Sequence, residues 1–293
     1  MSDLTLLDRY EADLFTLTLP TGTVIRMTNH QQDLKVSGNT YYSTKYGKWQ
    51  RDSITSELNT VTEIDLSLTA STDILFPGTS KPMLWVSKLF ARSTVQIVTA
   101  SLALPTTQAP LDAPAAVVAS KTVFIGQITI PSLTSTQATF KCSDFGYLGL
   151  KPWPLRVIQA GCPYTLFDRG CTLSPSSFAV SCTVASGSTQ TNIVVSSALG
   201  SVGTDTLPYS RGYIVPTSGE ATGWKITVNK QIDSTHLELA PFELSIAIGN
   251  TFTLHPGCDG LQATCEFKFG NKTNFGGLPN VPGPPSAINA TGS

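Results

Sequence analysis

Residues 123–142 read VFIGQITIPSLTSTQATFKC. In two arms of this stretch, 123–130 and 136–142, apolar and polar side chains alternate with a period of two. Thr, Val and Ile, which suit a half-buried pleated surface, dominate both arms. The same rhythm recurs at 14–19, 62–68, 94–99 and 192–196, then in shorter pieces at 212–215, 225–229, 237–239 and 252–254. Gly, Pro, Asn and Asp punctuate the intervals. No segment sustains a helical period for more than two or three turns. Many short strands without intervening helical patterns predict a mainly β protein, a sandwich or barrel, and argue against a parallel α/β sheet.

At 293 residues the chain has room for one large or two modest domains with real cores. Charged residues are only 13%, against about 25% in ordinary domains, while serine and threonine together number 69. That is a β-rich profile. With 19 basic and 20 acidic residues the net charge is −1, so the clustered Lys/Arg footprint of direct nucleic-acid recognition is missing. No apolar run approaches the ~20 residues that span a bilayer, so no membrane-spanning segment is expected. Residues 1–14 carry acidic groups where a signal peptide starts basic, which points to synthesis in the cytoplasm.

Two stretches break the strand rhythm. Residues 104–119, rich in Pro, Ala and Thr, are expected to form a loop protruding from an N-terminal β domain at 1–150. Residues 151–170 bring closely spaced prolines, Trp153, further aromatics and two glycines. Residues 275–285 are rich in Gly and Pro, and 284–293 are expected to be an extended tail.

Six cysteines are present. Cys142 and Cys182 lie in strand-like runs and are expected to be buried small hydrophobes. The other four form two pairs, Cys162 with Cys171 and Cys258 with Cys265, in Gly/Pro-punctuated segments. Disulfides suit a secreted chain, which the N-terminus does not resemble. A short helix within 259–269 would also hold Cys258 and Cys265 about 10 Å apart, beyond the ~7 Å limit between bridged Cα atoms. Zinc knuckles favour C-x₂₋₄-C, closer than these gaps of eight and six residues. A larger cubane cluster with one thiolate per iron suits wider gaps. From the residues alone the site is a Cys₄ metal site with the metal open.

The motifs WP at 153–154, IQAGCPYTLFDRGC at 158–171 and PGCDGLQATCEFKFGNKTNFGGLP at 256–279 resemble those of tail-tip or baseplate hub proteins of tailed bacteriophages and gene transfer agents. The paired C-x₈-C and C-x₆-C spacing is similar to that of the lambda-type minor tail protein L. The resemblance implies a [4Fe-4S] cluster ligated by Cys162, Cys171, Cys258 and Cys265. It also implies a virion tail-tip protein in a ring of three copies, between the distal tail protein and the central hub or fibre protein, with the tape measure protein a further neighbour. Its role would be structural and not enzymatic. In the lambda-type protein the two pairs lie close together in sequence, whereas here 86 residues separate Cys171 from Cys258. The implied organisation is a cluster-binding region at 151–175 plus 256–283, interrupted by an inserted β domain at 176–255.

Competing chemistry is sparse. His30, His236 and His255 are scattered, and the zinc-hydrolase and serine-hydrolase motifs are missing. His255 precedes Cys258 by three residues, so a thiol hydrolase acting on cell walls is the runner-up function; a zinc-stabilised Cys₄ structural protein is the other alternative. Asp168-Arg169-Gly170 is expected to form a turn with an internal ion pair that orients Cys171. Asn271-Lys272-Thr273 and Asn289-Ala290-Thr291 match glycosylation sequons and are read as chance matches. Residues 275–279, FGGLP, are expected to pack backbone tightly or to meet a neighbouring subunit. Trp49, Trp85 and Trp224 are assigned to cores, and Trp153 is set apart because it leads into the cysteine loop.

Overall fold

The computed structural model describes residues 9–52, 63–85, 87–103, 117–134, 137–145 and 159–280. The chain divides into two compact units, Met1–Lys151 and Pro152–Ser293. The first contains β1 (Arg9–Thr18), β2 (Val24–Thr28), β3 (Leu34–Val36), β4 (Asn39–Tyr41), β5 (Lys48–Arg51), β6 (Glu63–Thr69), β7 (Thr94–Ala103), β8 (Val117–Leu133) and β9 (Gln137–Asp144). Seven of these form an antiparallel sheet in the order β2-β1-β7-β8-β9-β6-β5, and β3 and β4 pair as a separate hairpin.

Alternation explains the sheet. Ile64, Leu66 and Leu68 of β6 are buried, and opposite them in register lie Cys142, Phe140 and Ala138 of β9, also buried. Trp49 of β5 stacks on Phe140 at 5.5 Å, while Phe90 meets both rings edge-on. A second cluster puts Ala12 and Leu14 of β1 with Ala100 and Leu102 of β7 beneath Leu34 and Tyr41 of the β3–β4 hairpin. One ion pair shows how far the sheet curls. In a flat sheet β1 and β5 would stand about 24 Å apart, five strand spacings. Instead Arg51 of β5 donates from Nη2 to Asp13 Oδ1 of β1 at 3.0 Å, with Nε 3.0 Å from Oδ2.

The second unit has β10 (Val180–Thr183), β11 (Asn192–Val194), β12 (Tyr213–Pro216), β13 (Ile226–Gln231), β14 (His236–Leu239) and β15 (Thr251–His255), in the order β10-β15-β12-β13-β14-β11. The edges of this sheet meet. Just beyond β10 and β11, Val184 bridges Val195, Ala185 N–H donates to Val194 O at 2.8 Å, and Ser196 N–H donates to Thr183 O at 3.0 Å. Inside lie Ile193, Ile214, Val228, Leu237, Phe252 and Leu254. After β15 the chain forms α1 (Gln262–Phe267), the one α-helix among the described residues, and a 3-10 turn at Lys272–Asn274.

The chain is therefore mainly β, as alternation predicts, and each sheet curls on itself in place of the sandwich alternative. The expected strand segments fall in β1, β6 to β9 and β11 to β15. Residues 117–119, expected in the protruding loop, instead begin β8, because they pair with β7 at Leu102 and Ser101. The rest of that loop, 104–116, lies outside the described residues, as do Trp153 and the tail from 281 onward. The expected helix shrinks to six residues, since Asp259 and Gly260 are taken up in the turn before it. Trp85 is a correction: it is 64% exposed, whereas Trp49 is fully enclosed.

Candidate metal centre

The first cysteine pair sits on an irregular loop whose geometry is set by Asp168. Its carboxylate accepts N–H bonds from Thr165 (2.9 Å), Gly170 (2.8 Å) and Cys171 (2.7 Å), and its carbonyl accepts Thr172 N–H at 2.9 Å. Asp168 thus orients Cys171 through backbone N–H groups, in the turn that the sequence predicts. Phe167, at φ +69, turns its ring onto the barrel wall, 6.4 Å from Tyr213 of β12 and 6.0 Å from His255 of β15.

The second pair follows β15. Asp259 accepts Leu261 N–H at 2.9 Å and the Thr264 hydroxyl at 2.9 Å, which starts α1 with Cys265 on its buried side. Beyond α1, Lys268 is buried; its Nζ donates to Pro208 O at 2.6 Å and pairs with Asp205 at 2.8 Å. Gly260 binds both halves of the site: its carbonyl accepts Cys162 N–H at 2.8 Å, and its N–H donates to Cys258 Sγ at 3.4 Å.

Further contacts close the two segments on each other. The Tyr164 ring is flanked by Gly170 and Gly276, at both of which a Cβ would run into it, and a Cβ at Gly277 would stand 2.6 Å from Ala160 O. Leu278 N–H donates to Gln159 O at 2.9 Å. The FGGLP stretch thus serves tight backbone packing. Asn271 completes the clasp. Its side chain donates from Nδ2 to Cys171 O at 2.7 Å, and its backbone N–H donates to Cys265 O at 2.8 Å.

All six cysteines are free thiols. Cys142 and Cys182 are enclosed in strands, and burial pushes them up to about 12 and about 11, as expected of small core hydrophobes. The other four lie within electrostatic reach of one another. Burial pushes Cys265 up to about 11, helped by Cys258, Cys171 and Cys162. Burial also raises Cys258, against the opposing Gly260 N–H, and Asp259, Cys171 and Cys162 add to the rise.

Four thiols from two segments, of which Cys258 and Cys265 are pushed up by burial and in part by the other cysteines, form a donor set that fits a cationic, thiolate-binding group. Among the described residues no three His, Cys, Asp or Glu side chains are gathered tightly enough to hold a single metal ion. Four thiolates around one zinc stand about 3.8 Å from one another; an iron–sulfur cluster is larger and spreads its ligands over separate irons. The N–H donors at Cys258 Sγ and near Cys171 Sγ (3.8 Å from Asn271 Nδ2) are the type of contact that supports metal-bound sulfur.

The thiol-hydrolase pairing finds no support in the geometry. His255 stacks on Tyr213 at 4.5 Å, with burial holding its pKa down, and no hydrogen bond joins it to Cys258 among the described residues. Burial moves the Cys258 thiol away from the depressed range of a nucleophile.

The family model described as the N-terminal attachment domain of baseplate hub proteins matches residues 7–174, more than half of the chain. The chain belongs to the baseplate hub protein family. Residues 208–284 match the model described as phage conserved hypothetical protein BR0599. The first cysteine pair of this hub protein lies within the first match and the second pair within the second. No curated protein matches the chain. Among solved structures it is similar to a chain from the virion of a native gene transfer agent particle, with a TM-score of 0.71 and 18% identity over 97% of this chain and 94% of that one. At that identity the likeness is one of fold. Among the described residues no helix is long and apolar enough to cross a membrane.

Sequence reasoning missed Asn271, Tyr164 and Lys268. The first was set aside as a sequon, yet it is buried and fully engaged. A polar residue at the end of the stretch FKFGN, 267–271, carries no signal of a partner 100 positions away.

Proposed function

We propose that this hub protein is a structural component of the tail tip of a tailed phage or gene transfer agent particle, where a [4Fe-4S] cluster held by Cys162, Cys171, Cys258 and Cys265 staples two distant segments. The observation that carries this reading is the convergence of four free thiols from loops 86 residues apart, in a chain of the baseplate hub family. When bound, the cluster supplies iron–thiolate bonds whose free energy becomes folding free energy of the loops. The chain's own contribution is the scaffold: Asp168 shapes one loop, Gly260 joins the two, and α1 presents Cys265.

On this reading the protein is not an enzyme. It assembles in the host cytoplasm as a ring of three between the distal tail protein and the central hub or fibre protein, with the tape measure protein adjacent. The resemblance in its cysteine motifs supports these neighbours, and the low charge suits polar contacts between rigid β domains.

Antibody labelling of purified virions tests the placement. Label confined to the tail tip is expected; label on the head, or absence of the protein from virions, overturns the reading. Cys162→Ser and Cys265→Ser are expected to block particle assembly while Cys142→Ser leaves it intact, and equal effects from all three would remove the ligand assignment.

A further inference from the structure

Asn271 is 8% exposed and all its polar groups are engaged. Its backbone N–H donates to Cys265 O at 2.8 Å, and its carbonyl oxygen accepts from Cys265 Sγ at 3.2 Å. Its side-chain Oδ1 accepts from Asn274 Nδ2 at 2.7 Å. That bond fixes the orientation of the carboxamide, because the flipped form would set two donors against each other there and two oxygens against each other at Cys171. The remaining group, Nδ2, donates to Cys171 O at 2.7 Å and lies 3.8 Å from Cys171 Sγ.

We propose that Asn271 is the positioning residue of the four-thiol site, holding the second cysteine of each pair in place, Cys171 through its carboxamide and Cys265 through its backbone N–H and carbonyl, and offering an N–H to the Cys171 sulfur. The contact to a neutral thiol is weak at this distance. It strengthens when the sulfur carries negative charge, since a charged acceptor makes a hydrogen bond about twice as strong. A donor at that sulfur withdraws electron density from it and so lowers its electron donation when it binds metal. Asp cannot replace Asn here, because a carboxylate would face both the Cys171 carbonyl and its thiolate without a proton to donate.

The part concerning bound metal rests on the cluster reading above; the positioning of Cys171 does not. The test uses the full chain, reduced and treated with chelator, labelled with iodoacetamide and analysed cysteine by cysteine by peptide mass spectrometry. Cys162 shares the loop but not the contact with Asn271, so the ratio of Cys171 to Cys162 rates separates loss of the donor from general loosening.

In Asn271→Asp and Asn271→Ala the ratio is expected to rise about tenfold, the equivalent of one hydrogen bond, because Cys171 loses the carboxamide that holds it while Cys162 keeps its bond to Gly260. Parallel rises at both cysteines, or an unchanged ratio, overturn the proposal. Cys182, enclosed in the barrel, reports unfolding. If it labels in both variants, Asn274→Ala, which removes only the partner that orients the amide, decides the matter by the same ratio.

After reconstitution with iron and sulfide, both Asn271 variants are expected to show a more negative reduction potential than the unsubstituted protein. An unchanged potential removes the claim of a donor to bound sulfur. A chain that takes up no iron fails the cluster reading, while the thiol ratio still decides the role of Asn271.

Discussion

Asp168 gathers three backbone N–H groups on one carboxylate, and the path of the loop from Thr165 to Thr172 depends on it. Asp168→Ala leaves those donors without their acceptor and is expected to cost about 1–3 kcal/mol. The loss should concentrate in faster hydrogen exchange at Gly170 and Cys171 with little change in the barrel strands; uniform exchange across the unit would contradict it. Gly276 works by having no side chain. Gly276→Ala pushes against the Tyr164 ring and is expected to lower the melting temperature of the second unit, whereas Gly200→Ser, at a glycine with open space around its Cα, leaves the clasp between the loops intact. The four cysteines stand out in the sequence as candidates because they fall in two pairs within Gly/Pro-punctuated segments, and Asp168 because it lies in the turn before Cys171. Tyr164 and Asn271 could not, because their roles arise only when residues 164 and 276, or 171 and 271, are brought together in space.

The short helix α1 depends on the Lys268–Asp205 pair at its end. Lys268→Met removes the donor to Pro208 and the partner of Asp205, with an expected cost of about 1–3 kcal/mol, the worth of a hydrogen bond involving a charged group. The pair also sets a pH dependence. Burial pushes the Asp205 carboxyl up, but hydrogen bonds from Lys268 and Leu207 N–H and the charge of Lys268 outweigh it, so its pKa is held below the ordinary carboxylate value. The unfolded chain therefore binds the proton more readily, and the stabilisation is present above about pH 4 and lost as pH falls through the lowered value. Melting curves between pH 6 and 2 should show a smaller acid loss in Asp205→Asn than in the unsubstituted chain; identical losses would refute the linkage. In the first unit Arg51→Met strands the largely buried Asp13, which keeps Thr99 and Asn29 as partners, and about 3 kcal/mol of destabilisation in chemical denaturation is expected. The long strands β7, β8 and β9 showed in the sequence because period-two alternation persists for many residues. By contrast β3 and β4 have three residues each, too few for a period to register, and they form because Leu34 and Tyr41 cover the apolar face of β1 and β7.

The chain as a whole combines two curled β units, and membership of the baseplate hub family rests on the match over residues 7–174. Mainly β architecture followed from composition and alternation. The curling of each sheet did not, because it depends on cross-sheet contacts such as Arg51 to Asp13 and on the bridge from Val184 to Val195. The central claim is that thiols from two segments 86 residues apart form one iron–sulfur site within this hub protein. The most direct test is anaerobic purification followed by a visible absorption spectrum with iron and acid-labile sulfide assays on the same sample. A brown protein with about four iron and four sulfide per chain, both lost in Cys265→Ser, is the result the account predicts. A colourless protein that holds a single zinc, or that stays free of iron and sulfide after reconstitution, would contradict it.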